Sequence, residues 1–173
     1  MLAHIRTGRR SLWLILAVAL LVRGIYVLEI DQSPLFEYPA VDSKTYTNQA
    51  LNLAAGNWLG IGQGPFWQPP LYPYFLGVIK VVFPDTFFHA ARLIQALLGV
   101  LVCGMTWWIG RDLFDSATGF WAGLGAALYG PLIFFDGELL PAALAVFLNM
   151  AALVIMLVVW KEPGGWGWLG AGA

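Results

Sequence analysis

Three of the ten acids are candidates for chemistry, and all three stand in segments that join long apolar runs. Asp42 lies near the start of the polar segment PAVDSKTYTNQALNLAAGNW, and Asp136 and Glu138 occur together in FFDGELLP. A carboxylate can accept the proton of a hydroxyl group as a general base, or it can bind a divalent cation. These acids are therefore the candidate functional residues, and a divalent cation is the one cofactor they could hold.

Each acid also has a structural interpretation. Asp42 fits the N-cap of a helix over residues 43–55, a role that contributes about 1 kcal/mol. Asp136 and Glu138 fit a tight turn just ahead of the next apolar helix, where negative charge is favourable. For Asp42 the capping role and the chemical role can coexist. The single Cys103 and the two histidines offer no metal-ligand set, so no metal site is predicted from them.

Two arginines and several aromatic residues complete the candidate set. Arg92 lies about one turn into the second apolar run, where it can pair with a lipid phosphate or extend to the headgroups. Arg23 lies deeper, where an arginine usually finds a carboxylate or a water-filled cavity. Trp67 and Tyr72 can stack on sugar rings or form an aromatic belt at the membrane interface. Tyr46, four residues after Asp42, joins them as a candidate substrate-binding residue.

The composition requires a membrane setting for these residues. The 173 residues are 60% hydrophobic and 11% charged, with a mean hydropathy of +0.73, which predicts an all-α, polytopic membrane protein. A net charge of −1 argues against nucleic-acid binding. Four apolar runs are long enough to span a bilayer at about 1.5 Å per residue. They cover residues 11–30, 88–110, 117–135 and 141–160.

The charges near the first span predict the orientation. Arg6, Arg9 and Arg10 precede it, so residues 1–10 are expected in the cytoplasm and the first span to remain uncleaved in the cell (inner) membrane. Residues 31–87 and the turn at 136–140 would then be extracytoplasmic. A fifth apolar segment begins at Gly164, so residues 11–173 read as the N-terminal part of a longer membrane domain that is inactive as a fragment.

The first outer loop is predicted to contain two short helices. Residues 43–55 are followed by Gly56, a typical residue just past a helix end. Leu71–Phe83 follows two prolines and stops at Pro84. Both segments are too short to span a membrane, so they are expected to lie at its surface.

Taken together, these segments resemble a known family. The resemblance rests on D-x-x-x-Y-x-x-x-A near G-x-W, on P-P-L-Y-P-Y, on A-R-L-x-Q at the start of the second span, and on FFDGELL. Over about residues 11–160 the order of these motifs resembles membrane glycosyltransferases of the C superfamily. The closest group is the dolichyl-phosphate-mannose protein mannosyltransferase-like family, called family 39.

The resemblance implies transfer of a sugar from a polyprenyl-phosphate carrier to an acceptor hydroxyl on a protein, lipid or glycan, with inversion. It implies that Asp42 is the general base, that Asp136 and Glu138 orient the acceptor or the base, and that Arg92 supports the phosphate. Many members have Asp-Glu at this place, whereas here Ser43 follows Asp42. Glu37 is a less favoured substitute for the base.

Two other functions remain open. A multispan transporter or lipid flippase subunit would use Arg23 and Arg92 to line a lipid or ion path. A non-catalytic assembly protein is the third possibility, favoured if the natural chain ends at residue 173.

Overall fold

The computed structural model describes residues 2–61 and 68–161. This part of the chain is all-helical and contains no strand, which confirms the predicted fold class at this level. Its helices, in chain order, are α1 (Leu2–Ile30), α2 (Val41–Ala54), α3 (Leu71–Val82), α4 (Phe87–Leu113), α5 (Ser116–Leu128), α6 (Gly130–Gly137) and α7 (Ala142–Lys161).

Within residues 2–61 and 68–161, three helices are long and apolar enough to cross a membrane, namely the part of α1 from Arg10 onward, α4 and α7. The third predicted span is not one straight helix, because α5 and α6 meet at a bend of 49°. The predicted span over 117–135 corresponds to this bent pair, which is long and apolar enough to cross a membrane as one broken span. Pro131 explains the break, since it lacks an amide hydrogen and its ring clashes with the carbonyl four residues earlier. Tyr129 leaves the helix with extended backbone angles.

Helix α4 lies at the centre of the fold and packs against α1, α3, α5, α6 and α7. One buried cluster joins α1, α4 and α5; a second joins α2, α3, the start of α4 and Leu139. The α4–α5 crossing is close because glycines face each other. A Cβ added to Gly110 would lie 3.0 Å from the Cα of Gly119. Small residues permit such close backbone approach between apolar helices.

Helix α2 begins earlier than predicted and is not capped by Asp42. Its N-cap is Ala40, which makes no side-chain hydrogen bond, and the Lys44 amide donates to the Ala40 carbonyl. Val41 turns the chain into the helix with a φ of +50°. Asp42 consequently stands in the first turn, where its charge is favourable near the positive end of the helix.

The predicted ends of the two short helices are close to those observed. Gly56 follows α2 with a φ of +104°, a conformation that glycine adopts without strain. Helix α3 ends at Val82, one residue before the predicted end. Helices α2 and α3 pack on each other, and α3 also contacts α4.

Large apolar side chains cover much of the outer surface. Trp13 and Leu28 of α1 are about two-thirds exposed, and α7 buries only Ala143. Apolar surface of this extent suits contact with lipid or with further protein rather than with water.

Candidate functional site

A cleft of about 170 Å³ lies where α1 and α6 end and α4 begins. We call it the Arg92 cleft. Its walls come from the end of α1, the segment between α1 and α2, the first turn of α2, α4, and the residue after α6. Its lining includes Ser33, Phe36, Pro39, Ser43, Arg92 and Glu138. The cleft thus combines one cation, one acid and two hydroxyl groups.

Arg92 is the buried cation of the cleft, in the second turn of α4. Its Nε donates to the Gly137 carbonyl at 2.9 Å, and one terminal nitrogen donates to the Phe88 carbonyl at 3.2 Å. The ring of Phe36 stacks on the guanidinium, 3.8 Å from its central carbon. The other terminal nitrogen has no hydrogen bond within the described part of the chain. Three of the five guanidinium N–H groups therefore have no partner in the described part of the chain and can donate to an anionic oxygen.

Gln95, one turn beyond Arg92, fixes the backbone beside the cleft. Its Nε2 donates to the carbonyls of Asp136 at 3.0 Å and Glu138 at 2.7 Å. Its Oε1 accepts the hydroxyl hydrogen of Tyr72 from α3. Gln95 is fully buried, and these bonds use both its donors and its acceptor. Together with Arg92, it holds three consecutive carbonyls at the end of α6.

Asp136 lies in the last turn of α6 and not in an open turn, so its predicted placement was wrong. It is buried, and its Oδ2 accepts a hydrogen bond from the Nε of Arg23 at 2.7 Å. Arg23 thus finds the carboxylate that its depth requires, on a different helix. Glu138, two residues later, is half-buried and lines the Arg92 cleft. The two neighbouring acids therefore have separate surroundings.

Asp42 is exposed and does not line the Arg92 cleft, although the next residue, Ser43, does. The charge of Asp42 acts on Tyr46, which lies one turn later in α2. Burial raises the pKa of the Tyr46 phenol, and the charge of Asp42 raises it further. Asp42 is therefore next in sequence to a residue that lines the cleft, but it does not line the cleft itself.

The candidate aromatic residues serve mainly in packing. Tyr46 and Tyr72 are both buried, and their rings meet edge to face with centroids 5.1 Å apart. Neither ring presents a free face, and their predicted binding of sugar stays a prediction. Trp67 lies outside the described residues.

Two features of this end of the bundle were missed by sequence reasoning. Phe36, whose ring covers Arg92, has no distinguishing spacing or motif. His89 pairs with Asp31 at 2.8 Å, and its ring lies 4.7 Å from that of Phe36. His89 is also at one end of an open apolar groove of about 570 Å³ along α4. Leu93 and Leu97 continue this groove toward the middle of the helix.

In the described part of the chain, no three residues of the types His, Cys, Asp and Glu are grouped as a metal site. No known protein-family profile, curated protein or solved structure matches this chain. The functional interpretation therefore depends on the chemistry of the cleft and on the resemblance of the sequence motifs.

Proposed function

We propose that this chain is from a membrane glycosyltransferase that uses a polyprenyl-phosphate sugar as donor. The acceptor is a hydroxyl group of a protein, lipid or glycan on the extracytoplasmic side. The N-terminus is cytoplasmic in this proposal, the spans lie in the cell membrane, and α2 and α3 lie at its outer surface.

The reaction follows from the charges of the site. The acceptor oxygen attacks the anomeric carbon and forms the new glycosidic bond, while Asp42 accepts the hydroxyl proton. The bond between the anomeric carbon and the phosphate oxygen breaks, and its electron pair stays on the polyprenyl phosphate. Arg92 stabilises that charge. Attack opposite the leaving group inverts the anomeric centre.

The observation that carries the proposal is the Arg92 cleft. It brings a buried arginine with unused N–H donors next to Glu138 and Ser43, at the end of the bundle where α2 begins. The open apolar groove on α4 starts near the same place, at His89. A phosphate joined to a long apolar chain needs these two neighbouring environments.

Asp42 requires a movement in this proposal, because its carboxylate lies outside the cleft. Glu138 lies inside it and is the group that orients the acceptor hydroxyl. A bound acceptor that bridges Ser43 and Glu138 would have its hydroxyl close to the first turn of α2.

The experiment is transfer of label from radiolabelled polyprenyl-phosphate mannose by the full-length protein in membranes. Asp42→Asn should slow transfer by about 10²–10⁴-fold, because an amide cannot accept the proton. Asp85→Asn is the matched control, since Asp85 is an exposed acid between α3 and α4. This variant should transfer label at the wild-type rate. Wild-type transfer by folded Asp42→Asn protein would exclude Asp42 as the base, and Glu37→Gln then tests the substitute.

A transporter or lipid flippase is the second candidate, and the break between α5 and α6 favours it. Discontinuous membrane helices often form ion or substrate sites, and buried ionisable pairs often mark their paths. Arg23, Asp136 and the bend lie together here. Movement of a fluorescent polyprenyl phosphate across a proteoliposome bilayer, without loss of its headgroup, would support this function over transfer.

A further inference from the structure

Residues 31–40 cross the end of α4 between α1 and α2, and we call them the 31–40 strap. Phe36 is the one buried side chain of the strap, with 2% of its surface exposed. The centroid of its ring lies 3.8 Å from the central carbon of the Arg92 guanidinium and 4.7 Å from the centroid of the His89 ring. The strap is therefore attached to α4 mainly through this ring.

Phe36 limits what can reach Arg92. Only 4% of the arginine surface is exposed, because Phe36 covers one face and two nitrogens are bound to the carbonyls of Gly137 and Phe88. Phosphate groups usually bind arginine through two donors in the guanidinium plane. A phosphate that enters the cleft as it stands must reach the unused N–H groups of a side chain that is only 4% exposed and lies under the Phe36 ring.

The second attachment of the strap is weaker. The Oδ1 of Asp31 and the Nε2 of His89 lie 2.8 Å apart, but both side chains are nearly half exposed, at 44% and 47%. Exposed ion pairs contribute little to stability. Displacement of Phe36 would thus release most of the strap without breaking a buried polar contact.

We propose that Phe36 is a displaceable cover over Arg92, which moves aside when the phosphate of a lipid donor enters the cleft. The chemical identity of that phosphate rests on the proposed function. The cover itself rests only on the contacts of Phe36.

The test is the reactivity of Arg92 toward phenylglyoxal, an arginine-selective reagent, in the full purified chain in detergent. The rate at each arginine is read by peptide mass spectrometry. Phe36→Ala should react about tenfold faster at Arg92, since tenfold corresponds to about 1.4 kcal/mol, within the range of a cation–π contact. Phe36→Leu, which keeps most of the apolar volume, should give a smaller increase and serves if the alanine variant misfolds.

Two controls accompany these variants. Leu35→Ala changes a residue that also lines the cleft but is 61% exposed, so Arg92 should react at the wild-type rate. Arg111 stacks near Trp107 at 5.3 Å, far along α4, and its rate should be constant in every variant. An unchanged Arg92 rate in folded Phe36→Ala and Phe36→Leu overturns the cover.

Ligand protection separates the cover from the proposed function. Farnesyl phosphate should protect Arg92 in Phe36→Ala at lower concentration than in wild type, because no cover has to move. Faster reaction without protection by either farnesyl phosphate or inorganic phosphate would support the cover and contradict the phosphate site. Equal protection by both ligands would contradict a lipid donor as the source of the phosphate.

Discussion

The Nε of Arg23 donates to the Oδ2 of Asp136 at 2.7 Å, which joins α1 to the end of α6 across 113 positions of sequence. A terminal nitrogen of Arg23 also donates to the Ala127 carbonyl at 3.3 Å. That carbonyl lies four residues before Pro131, which cannot donate to it. Arg23 thus neutralises a buried acid and satisfies a carbonyl that the broken helix leaves without a donor.

Loss of either charge of this pair should destabilise the fold. Removal of one partner from a buried ion pair costs about 3–5 kcal/mol, because the other charge remains buried and unpaired. Arg23→Leu and Asp136→Leu should each lower the free energy of unfolding by this order. The double variant should recover much of the loss, since two apolar residues leave no charge in the interior.

Unfolding by SDS titration in mixed micelles, followed by circular dichroism, measures these differences. Arg111→Gln is the control, because Arg111 is only half-buried. Strict additivity of the two single effects in the double variant would show that the pair is not energetically coupled.

Gly99 makes room for the same ion pair, and this gives a second prediction. A Cβ at this position would lie 2.0 Å from Asp136 Oδ2 and 2.6 Å from Arg23 Nε. Gly99→Ala should therefore displace the pair and destabilise the protein, although alanine is the better helix former. Gly125→Ala is a matched helical control with no atom within 4 Å of the added methyl group. It should be neutral or stabilise the protein by up to about 1 kcal/mol.

The same unfolding measurement compares the two glycine variants. Equal stability of Gly99→Ala and Gly125→Ala would contradict the close approach of α4 to the Arg23–Asp136 pair.

Much of the helical arrangement could be predicted because long apolar runs in the sequence mark the helices that are able to cross a membrane. The runs at 11–30, 88–110 and 141–160 correspond within three residues to the spanning part of α1 from Arg10 onward, to α4 and to α7. The hydropathy pattern did not indicate the break before Pro131, because apolar residues continue on both sides of it. A proline inside a predicted span was nevertheless a local signal, since it removes one hydrogen bond wherever it occurs in a helix.

The candidate site was less predictable, because its contacts join distant parts of the chain. The position of Arg92 near the start of the second span follows from the sequence, but its stacking on Phe36 does not. An apolar residue in a loop carries no sign of the cation that it covers. The N-cap role of Asp42 failed for a local reason, since Val41 adopts a positive φ and shifts the start of α2.

Gln95 provides a third prediction, which concerns the carbonyls beside the cleft. Gln95→Leu has a similar volume but leaves the Tyr72 hydroxyl and the Asp136 carbonyl without a partner, whereas the Glu138 carbonyl still accepts from the Leu140 amide at 2.8 Å. Each buried polar group left unsatisfied costs about 1–3 kcal/mol. Tyr72→Phe leaves only the Gln95 Oε1 unsatisfied, so its loss of unfolding free energy should be clearly smaller. A larger loss in Tyr72→Phe, measured in the same micelles, would contradict this network.

The burial of Tyr72 also predicts that the free energy of unfolding falls at alkaline pH. Burial raises the pKa of its phenol well above the usual value. Above about pH 10 the unfolded phenol loses its proton while the folded one keeps it, so the folded state binds more protons. Stability contributed by Tyr72 is therefore fully present below pH 10 and falls as pH rises, by up to about 1.4 kcal/mol per pH unit.

The measurement is the unfolding midpoint of wild type, Tyr72→Phe and Tyr38→Phe between pH 8 and pH 11. Tyr72→Phe should be less stable than wild type at pH 8 but should lose less stability at higher pH, because it has no proton to release on unfolding. Tyr38 is 77% exposed, so Tyr38→Phe should follow the wild-type curve. Parallel curves for wild type and Tyr72→Phe would show that the Tyr72 phenol reaches water in the folded state, and that α3 does not bury it against α4.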